Sequence, residues 1–222
     1  FLLVQDGIFS TQEQLNQYPH FDDTAVGDFR FVDVDGDGVM DVNKDRTIVG
    51  NYLPDFIYGF SNSFKYKGFD LNVAFQGSYG GEVLNLMRRY NANSEGNFNN
   101  TREMLNRWQS EANPGDGNTN RANRKSRGNN GRTSTWHIED GSYLRLQNVS
   151  LGYSLPKSIL DKLNMAKARI FLTGNNLYTW SDYTGYNPEV NLDSGDDQLT
   201  PGLDYGVYPL AKTYSLGINV SF

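Results

Sequence analysis

Hydrophobic and polar residues alternate strictly along residues 212–222. The apolar side carries Tyr214, Leu216, Ile218, Val220 and Phe222, and the polar side carries Ser215, Gly217, Asn219 and Ser221. A period of two is typical of a β-strand with one apolar and one polar face. Such a strand suits the wall of a membrane barrel, because its apolar face contacts lipid and its polar face borders a wet lumen.

Further segments show the same alternation. Strands are predicted at residues 56–66, 69–79, 143–155 and 167–180, and the end of another at residues 1–4. Lys67 and Gly68 form a two-residue hairpin turn between the first two, and Tyr66 and Phe69 flank it as interface aromatics would. Leucines 144 and 146 break the parity of their strand, which predicts a bulge there.

The lengths of the connections separate a barrel from a soluble sandwich, since both fold types alternate. Short and long connections alternate along the chain. The short ones are residues 67–68 and 156–166, and the long ones are residues 7–54, 80–141 and 181–210. Short turns on one side and long loops on the other are the outer-membrane pattern. The predicted fold class is therefore all-β, a transmembrane antiparallel β-barrel with long extracellular loops.

The long connections contain weaker signals. Short helices are predicted at residues 11–15, with Ser10 as N-cap, at 82–90, at 101–110, with Asn100 as N-cap, and at 158–163. A basic run predicts a solvated loop, with a site for anionic ligands or lipopolysaccharide as the alternative. A nucleic-acid-binding patch is disfavoured, because no aromatic residues are interleaved with the basic run. The basic run consists of Arg121, Arg124, Lys125, Arg127 and Arg132.

Composition narrows the class further. Aromatic residues make up 14% of the chain and glycines number 23, which favours β-structure. Mean hydropathy is −0.61, and no apolar run has the length of a spanning helix. A net charge of −6 argues against a nucleic-acid surface. The chain has no cysteine and therefore no disulfide framework. It has no start Met or signal peptide and opens within a predicted strand, so we interpret it as the C-terminal fragment of a longer protein.

An acidic loop follows the pattern Asp-x-Asp-x-Asp-Gly from Asp33, which resembles the first half of an EF-hand or dockerin calcium loop. Asp41 matches the ninth position, whereas Lys44 occupies the twelfth, where a bidentate Glu belongs. The alternative is a turn in which Asp and Gly satisfy local backbone geometry. The candidate ligands of a structural Ca²⁺ are Asp33, Asp35, Asp37, Asp41 and Asp45.

The chain is predicted not to be an enzyme. His20 and His137 are the only histidines, neither has metal-ligand spacing, and there is no cysteine nucleophile. The sequence also lacks a nucleophile elbow, a P-loop and a dinucleotide fingerprint. A glycosidase pair of carboxylates cannot be identified from sequence alone.

Several motifs, in order, resemble those of SusC/RagA-type TonB-dependent transporters. They are GIFSTQE (7–13), GDFRFVDVDGDG (27–38), DRTIVG (45–50), YKGFDL (66–71), YLRLQNVSLGY (143–153), GNNL (174–177) and the closing strand to Phe222. Lys44 departs from the pattern as an insertion before Asp45, which weakens the calcium prediction.

This resemblance implies a barrel of about 22 strands in the outer membrane of Bacteroidota, with an N-terminal plug and a TonB box. It implies active import of oligosaccharides or peptides with TonB and a SusD-like surface lipoprotein as partners. Residues 1–222 would supply the C-terminal part of the barrel, about the last six strands, and contact membrane lipid. The plug and the TonB box would lie upstream. No cofactor beyond the candidate calcium and no nucleic acid are implied.

Individual roles follow from the same resemblance. Phe222 would be the barrel-insertion signal. No substrate-binding residue is assigned. Polar residues expected to face the lumen are Asn72, Gln76, Asn148, Asn175 and Asn219. The loops also carry aromatic residues, which would stack on sugars or contact the lipoprotein, or else pack within the loops. They are Trp108, Trp136, Tyr183, Tyr186 and Tyr205.

Two other functions remain open at the sequence level. One is a soluble β-rich, calcium-dependent carbohydrate-binding or adhesion module, which would need its aromatic strand faces to pack on each other. The other is a barrel that serves as a component or client of another outer-membrane assembly.

Overall fold

A computed structural model describes residues 1–124, 128–193 and 199–222, and of residues 191–193 and 199–200 the backbone alone. The strands are β1 Leu2–Leu3, β2 Gln5–Ile8, β3 Phe29–Phe31, β4 Arg46–Thr47, β5 Phe56–Tyr66, β6 Phe69–Tyr79, β7 Glu82–Asn85, β8 Ile138–Asp140, β9 Tyr143–Ser154, β10 Lys167–Trp180, β11 Asn191–Asp193, β12 Leu199–Pro201, β13 Leu203–Asp204 and β14 Thr213–Ser221.

The helices are short. They are α1 Gln12–Gln17, α2 Arg88–Asn91 and α3 Lys157–Leu160, with 3₁₀ turns at Arg102–Asn106, Asn129–Gly131, Thr135–His137 and Asp161–Leu163. Across the described part of the chain, no helix has both the length and the apolar character needed to cross a membrane.

The chain divides into two compact units. The sheet unit contains Tyr52–Glu82, Asp140–Glu189 and Val207–Phe222, and the loop unit contains Phe1–Asn51, Val83–Glu139 and Val190–Gly206. Each unit is held by contacts between segments that are far apart in sequence.

The sheet unit is a five-stranded antiparallel meander in the order β14-β10-β9-β6-β5. These five strands confirm the alternating segments of the sequence. Lys67 and Gly68 join β5 to β6 with φ angles of 45° and 86°. Two positive φ angles in a two-residue loop match the twist of the strands that it connects, so the hairpin prediction is confirmed.

The predicted bulge is present in β9. Pairing with β6 passes from Ala74 opposite Asn148 to Phe75 opposite Leu146, which leaves Gln147 without an opposite residue. Because of this extra residue, Leu144 and Leu146 share a face with Val149 and Leu151.

The loop unit packs around a small apolar core. Its buried members are Leu3, Ile8, Phe21, Phe29, Phe31 and Met40, with Trp108 and Trp136 packed against them. Strands β1, β2 and β3 supply Leu3, Ile8, Phe29 and Phe31 to this core, and the remaining three-stranded sheet has the order β13-β7-β8. Pairing of β1 with β4 corrects the prediction for residues 1–4, because Leu2–Leu3 lies outside the five-stranded sheet.

Three local predictions in the loop unit were wrong. In place of the helix predicted at residues 101–110 there is a 3₁₀ turn, Arg102–Asn106, and its N-cap is Thr101, whereas Asn100 was expected. The N-cap of α1 is Thr11, whose hydroxyl accepts from the Gln14 backbone N–H, whereas Ser10 was expected. The N-terminal half of the helix predicted at residues 82–90 is strand β7. Backbone pairing with the β13 segment decides this, since Leu84 N–H donates to the Gly202 carbonyl at 2.7 Å.

Candidate functional site

One face of the five-stranded sheet is apolar and exposed. It carries Phe64, 60% exposed, Leu216, 75% exposed, and Ile218, 64% exposed. The register places Leu216 opposite Leu172 and Ile218 opposite Ile170, so the apolar side chains continue from strand to strand. A continuous exposed apolar face of this kind fits contact with lipid.

The opposite face carries the polar residues predicted to line a lumen. Asn148 Nδ2 donates to Asn175 Oδ1 at 2.7 Å, and Asn175 Nδ2 donates to Thr213 Oγ1 at 3.1 Å, which links β9, β10 and β14. Asn72 accepts a hydrogen bond from Ser63 at 2.6 Å. The register puts Gln76 opposite Arg145 and Asn219 opposite Arg169 on this same face.

An ion pair also lies on the polar face. Arg169 Nε on β10 donates to Asp70 Oδ1 on β6 at 2.9 Å. Strand β9 lies between the two, and the guanidinium passes over Gly152, where there is no side chain. Sequence reasoning did not identify this pair, because its members are far apart in the chain.

A cavity of about 310 Å³ lies in the sheet unit, where the C-terminal part of β10 extends beyond its pairing with β14. Tyr178, Tyr186, Asn176 and Lys212 contribute to its lining. Lys212 Nζ lies 5.9 Å from the centre of the Tyr178 ring. Aromatic rings beside amides and an ammonium group can hold a polar organic ligand by stacking and hydrogen bonding.

Arg145 stiffens one wall of this cavity. Its side chain is buried, donates to Thr179 Oγ1 and Asn187 Oδ1 at 3.0 Å each, and pairs with Glu189. The Tyr143 hydroxyl also donates to Glu189. These bonds hold the segment that follows β10 against β9. This wall of the cavity is therefore in place before a ligand binds. The sequence signal that could have identified Arg145 is its place on the polar side of an alternating strand.

The loop aromatics divide between packing and exposure. Trp136 lies 5.1 Å from the Phe29 ring in the core, and Trp108 Nε1 donates to the Ser10 carbonyl. Tyr183 is buried, whereas Tyr186 is 74% exposed and Tyr205 is 46% exposed. The exposed pair is therefore available for contact with another molecule.

The acidic loop gathers three of its five carboxylates. Ligand oxygens of Asp33, Asp35 and Asp37 lie within 4.8 Å of one another. Asp33 accepts from the backbone N–H groups of Gly36 and Gly38 at 2.8 Å each, which shapes the turn. A cluster of this size and composition is compatible with a hard cation such as Ca²⁺.

The other two predicted ligands have local roles. Asp45 is fully buried and accepts from Val34 N–H at 2.9 Å and Asp41 N–H at 2.7 Å, so it ties both sides of the loop. Asp41 Oδ1 accepts from Asn43 N–H. Lys44 Nζ lies 3.0 Å from Asp37 Oδ2, and this contact lowers the pKa of Asp37 and raises that of Lys44. Calcium binding stays a prediction.

The basic run is not a uniformly solvated loop. Arg121 Nε donates to the buried Asp28 at 2.7 Å, and Arg132 pairs with Asp23 and lies 3.9 Å from the Phe21 ring. These partners are acidic and aromatic residues of the first loop, which the sequence pattern could not show. Lys125 and Arg127 lie outside the described residues.

Phe222 is 89% exposed beyond the end of β14. Its role as an insertion signal stays a prediction.

Comparison with known proteins found relatives that match most of this chain. No family model matches the chain. It is 38% identical over 205 residues to TonB-dependent receptor P3 of Formosa agariphila, covering 90% of this chain and 19% of that receptor. It is 28% identical over 200 residues to TonB-dependent receptor SusC of Bacteroides thetaiotaomicron, covering 86% of this chain and 17% of SusC.

Solved structures share the fold of this chain. The RagAB peptide importer in its open-open state matches all of this chain and 22% of its own, with a TM-score of 0.74 at 24% identity. The RagAB peptide transporter matches with a TM-score of 0.73 at 25% identity. This chain spans about a fifth of the length of these relatives. Most of the chain is thus homologous to a part of TonB-dependent receptors, SusC among them.

Proposed function

We propose that the receptor containing this chain actively imports oligosaccharides or peptides across the bacterial outer membrane, coupled to TonB. The observation that carries the proposal is the meander with one exposed apolar face and one polar face, in a chain that matches the RagA fold along its whole length. The sheet would form part of the barrel wall, with its polar face toward the lumen. The work of these residues would be binding and gating, without bond chemistry.

A SusD-like surface lipoprotein and TonB are the proposed partners. Support comes from the relatives, which include SusC and the RagAB importer. On this chain, Tyr186 and Tyr205 are exposed loop aromatics suited to the lipoprotein or to substrate. The cavity beside Tyr178 is the proposed substrate contact of the sheet unit.

Fractionation of the full-length receptor from its source cells tests this function. We expect recovery in the outer membrane and co-purification of a SusD-like lipoprotein from detergent. The lipoprotein's ligand would then separate oligosaccharides from peptides. Recovery in a soluble or secreted fraction would refute the transporter and favour the calcium-dependent binding module. Recovery with a different outer-membrane assembly would favour the component or client role.

A further inference from the structure

A cluster of buried polar side chains lies in the loop unit and has no part in the proposed transport. Its members come from separate loop segments, and each is at most 3% exposed. They are Asp28, Asn93, Glu95, Asn120 and Asn130. Buried polar groups require hydrogen-bond partners, so their donors and acceptors can be counted.

The side-chain amides of the cluster donate within it and to nearby backbone, and Asn93 Nδ2 donates to the Asn130 carbonyl at 2.8 Å. Asn130 Nδ2 donates to Asp28 Oδ1 and to Glu95 Oε1, both at 2.8 Å. Asn120 Nδ2 donates to Asn93 Oδ1 at 3.0 Å and to the Arg121 carbonyl at 3.1 Å. Reversing the Asn120 amide would lose both of these bonds, which fixes its orientation.

Two acceptor oxygens are left over. Glu95 Oε2 and Asn120 Oδ1 are buried, and neither has a hydrogen-bond partner among the described residues. Both residues bond to one atom, since Asn93 Oδ1 accepts from Asn120 Nδ2 and from the Glu95 backbone N–H at 3.1 Å. No described donor therefore reaches either oxygen, although both residues share Asn93 as a partner.

The charges around Glu95 lead to the same conclusion. Asp28 and Arg121 are the charged groups that act on Glu95 in the described structure. Arg121 is bound to Asp28, Nε to Oδ1 at 2.7 Å, so an ionised Glu95 would add a second negative charge to one that is already paired. Burial, opposed by the Asn130 hydrogen bond, raises the pKa of Glu95 to about 7.

We propose that this cluster is a proton-binding site in which Glu95 carries a proton on Oε2 and donates it to Asn120 Oδ1. The proton comes from solvent and returns to it, with no other group changed. One O–H bond would supply the missing donor, satisfy both remaining acceptors and remove the second negative charge. The inference is independent of the transported substrate and of the partners.

The site fastens two loop segments. Gly96 N–H donates to the Asn123 carbonyl at 3.0 Å, and Asn123 N–H donates to the Ser94 carbonyl at 2.8 Å. Asn130 also accepts from Phe29 N–H at 2.7 Å, which connects the cluster to the core. Loss of the proton would leave a buried unpaired charge beside these bonds, so the segments at 93–96 and 120–123 should open more often as pH rises.

The direction of the pH effect follows from linkage. Because the folded pKa of Glu95 is raised from 4.5 to about 7, the closed loops bind the proton more tightly than the opened loops. Closure is therefore favoured less as pH rises from 4.5 toward 7 and beyond. The opening equilibrium should grow about tenfold between one pH unit below and one above the folded pKa.

Hydrogen exchange on the full-length receptor in detergent tests the proposal. Peptides covering residues 93–96 and 120–123 are compared at those two pH values, after correction for intrinsic exchange. The wild type should show the tenfold change. Glu95→Gln should show none, because its amide N–H₂ replaces the O–H donor. Glu13→Gln, at an exposed acid of α1, serves as the control and should retain the wild-type response.

Infrared spectroscopy of the wild type provides a second measurement if Glu95→Gln fails to fold. A protonated-carboxyl band that titrates near pH 7 is expected, whereas its absence below that pH would overturn the proposal. An unchanged pH response in folded Glu95→Gln would also overturn it. So would closure of the loops by added Na⁺ or K⁺ at the higher pH, which would identify a bound cation in place of the proton.

Discussion

The guanidinium of Arg169 on β10 binds the carboxylate of Asp70 on β6 although β9 runs between these strands. The side chain crosses β9 at Gly152, where a Cβ atom would lie 2.5 Å from both Cζ and Nε of Arg169. One ion pair thus fastens three strands on the polar face, and it depends on the absence of a side chain in the middle strand.

Gly152→Ala should destabilise the five-stranded sheet by about 1–3 kcal/mol, because the Arg169 side chain must leave its place over β9. Gly59→Ala is the matched control on the same face, since its Cβ would meet only the Phe75 carbonyl, at 3.3 Å. Unfolding of both variants can be followed by urea denaturation of the detergent-solubilised receptor. Equal losses in the two variants would contradict the role of the crossing.

Asn176 adopts a left-handed conformation, φ 53°, where β10 departs from its register with β9. Asn176→Ala should cost about 1–2 kcal/mol of stability, because the short polar side chain of asparagine supports this conformation by local hydrogen bonding and a methyl group cannot. Asn176→Gly loses the same hydrogen bond to the Ala211 carbonyl but has no Cβ, so it should be the more stable of the two. Urea unfolding of the detergent-solubilised receptor measures the difference. Alanine as stable as glycine would show that the conformation carries no cost.

The acidic loop should bind Ca²⁺ in competition with Lys44. Lys44→Gln removes the ammonium from Asp37 and should raise calcium affinity roughly tenfold, whereas Asp33→Asn should lower it. Calorimetry on metal-stripped full-length receptor measures both. Lys162→Gln, on an exposed turn, is the control for the change in net charge. No calcium-dependent heat in either the wild type or Lys44→Gln would refute the site.

His137 should make the loop unit sensitive to acid. It is fully buried, and burial together with Arg88 and Arg89 lowers its pKa from 6.5 to about 4. The unfolded state therefore binds the proton first as pH falls. The stability supplied by neutral His137 is present above pH 6.5 and is lost toward pH 4, by at most about 3 kcal/mol.

Hydrogen exchange of peptides around residues 134–138 tests this between those pH values. His137→Asn should flatten the acid response, because its side-chain oxygen can accept from Ser134 N–H as Nδ1 does. His20→Asn, at the exposed second histidine, should leave the response unchanged. An acid response that survives in His137→Asn would assign it to other groups.

The long strands could be predicted because their signal is local. The bounds of β10 agree with the alternation at residues 167–180, and the parity break at Leu144 and Leu146 located the bulge in β9. Lys67-Gly68 has the conformation that a short hairpin requires. In each case the period of two or the turn chemistry is contained in the segment itself.

The loop unit could not be predicted in the same way. Strand β7 exists because a segment more than a hundred residues later pairs with it, and that pairing overrides its helical pattern. Asn130 and Asp28 are 102 residues apart, and nothing near Glu95 in the sequence marks it as buried. Such clusters depend on which loops meet, which is a property of the folded chain.

The bulge at Gln147 has a geometric consequence for the sheet as a whole. Over one step of pairing β6 advances from 74 to 75, β9 from 148 to 146 and β10 from 175 to 178, which is one, two and three residues. Between these paired positions β10 is thus longer than β6 by roughly 7 Å of extended chain. Because one side of the sheet is longer than the other here, the strands curve within the plane of the sheet. A one-residue deletion at this point would therefore change the direction of the loops that follow the strands.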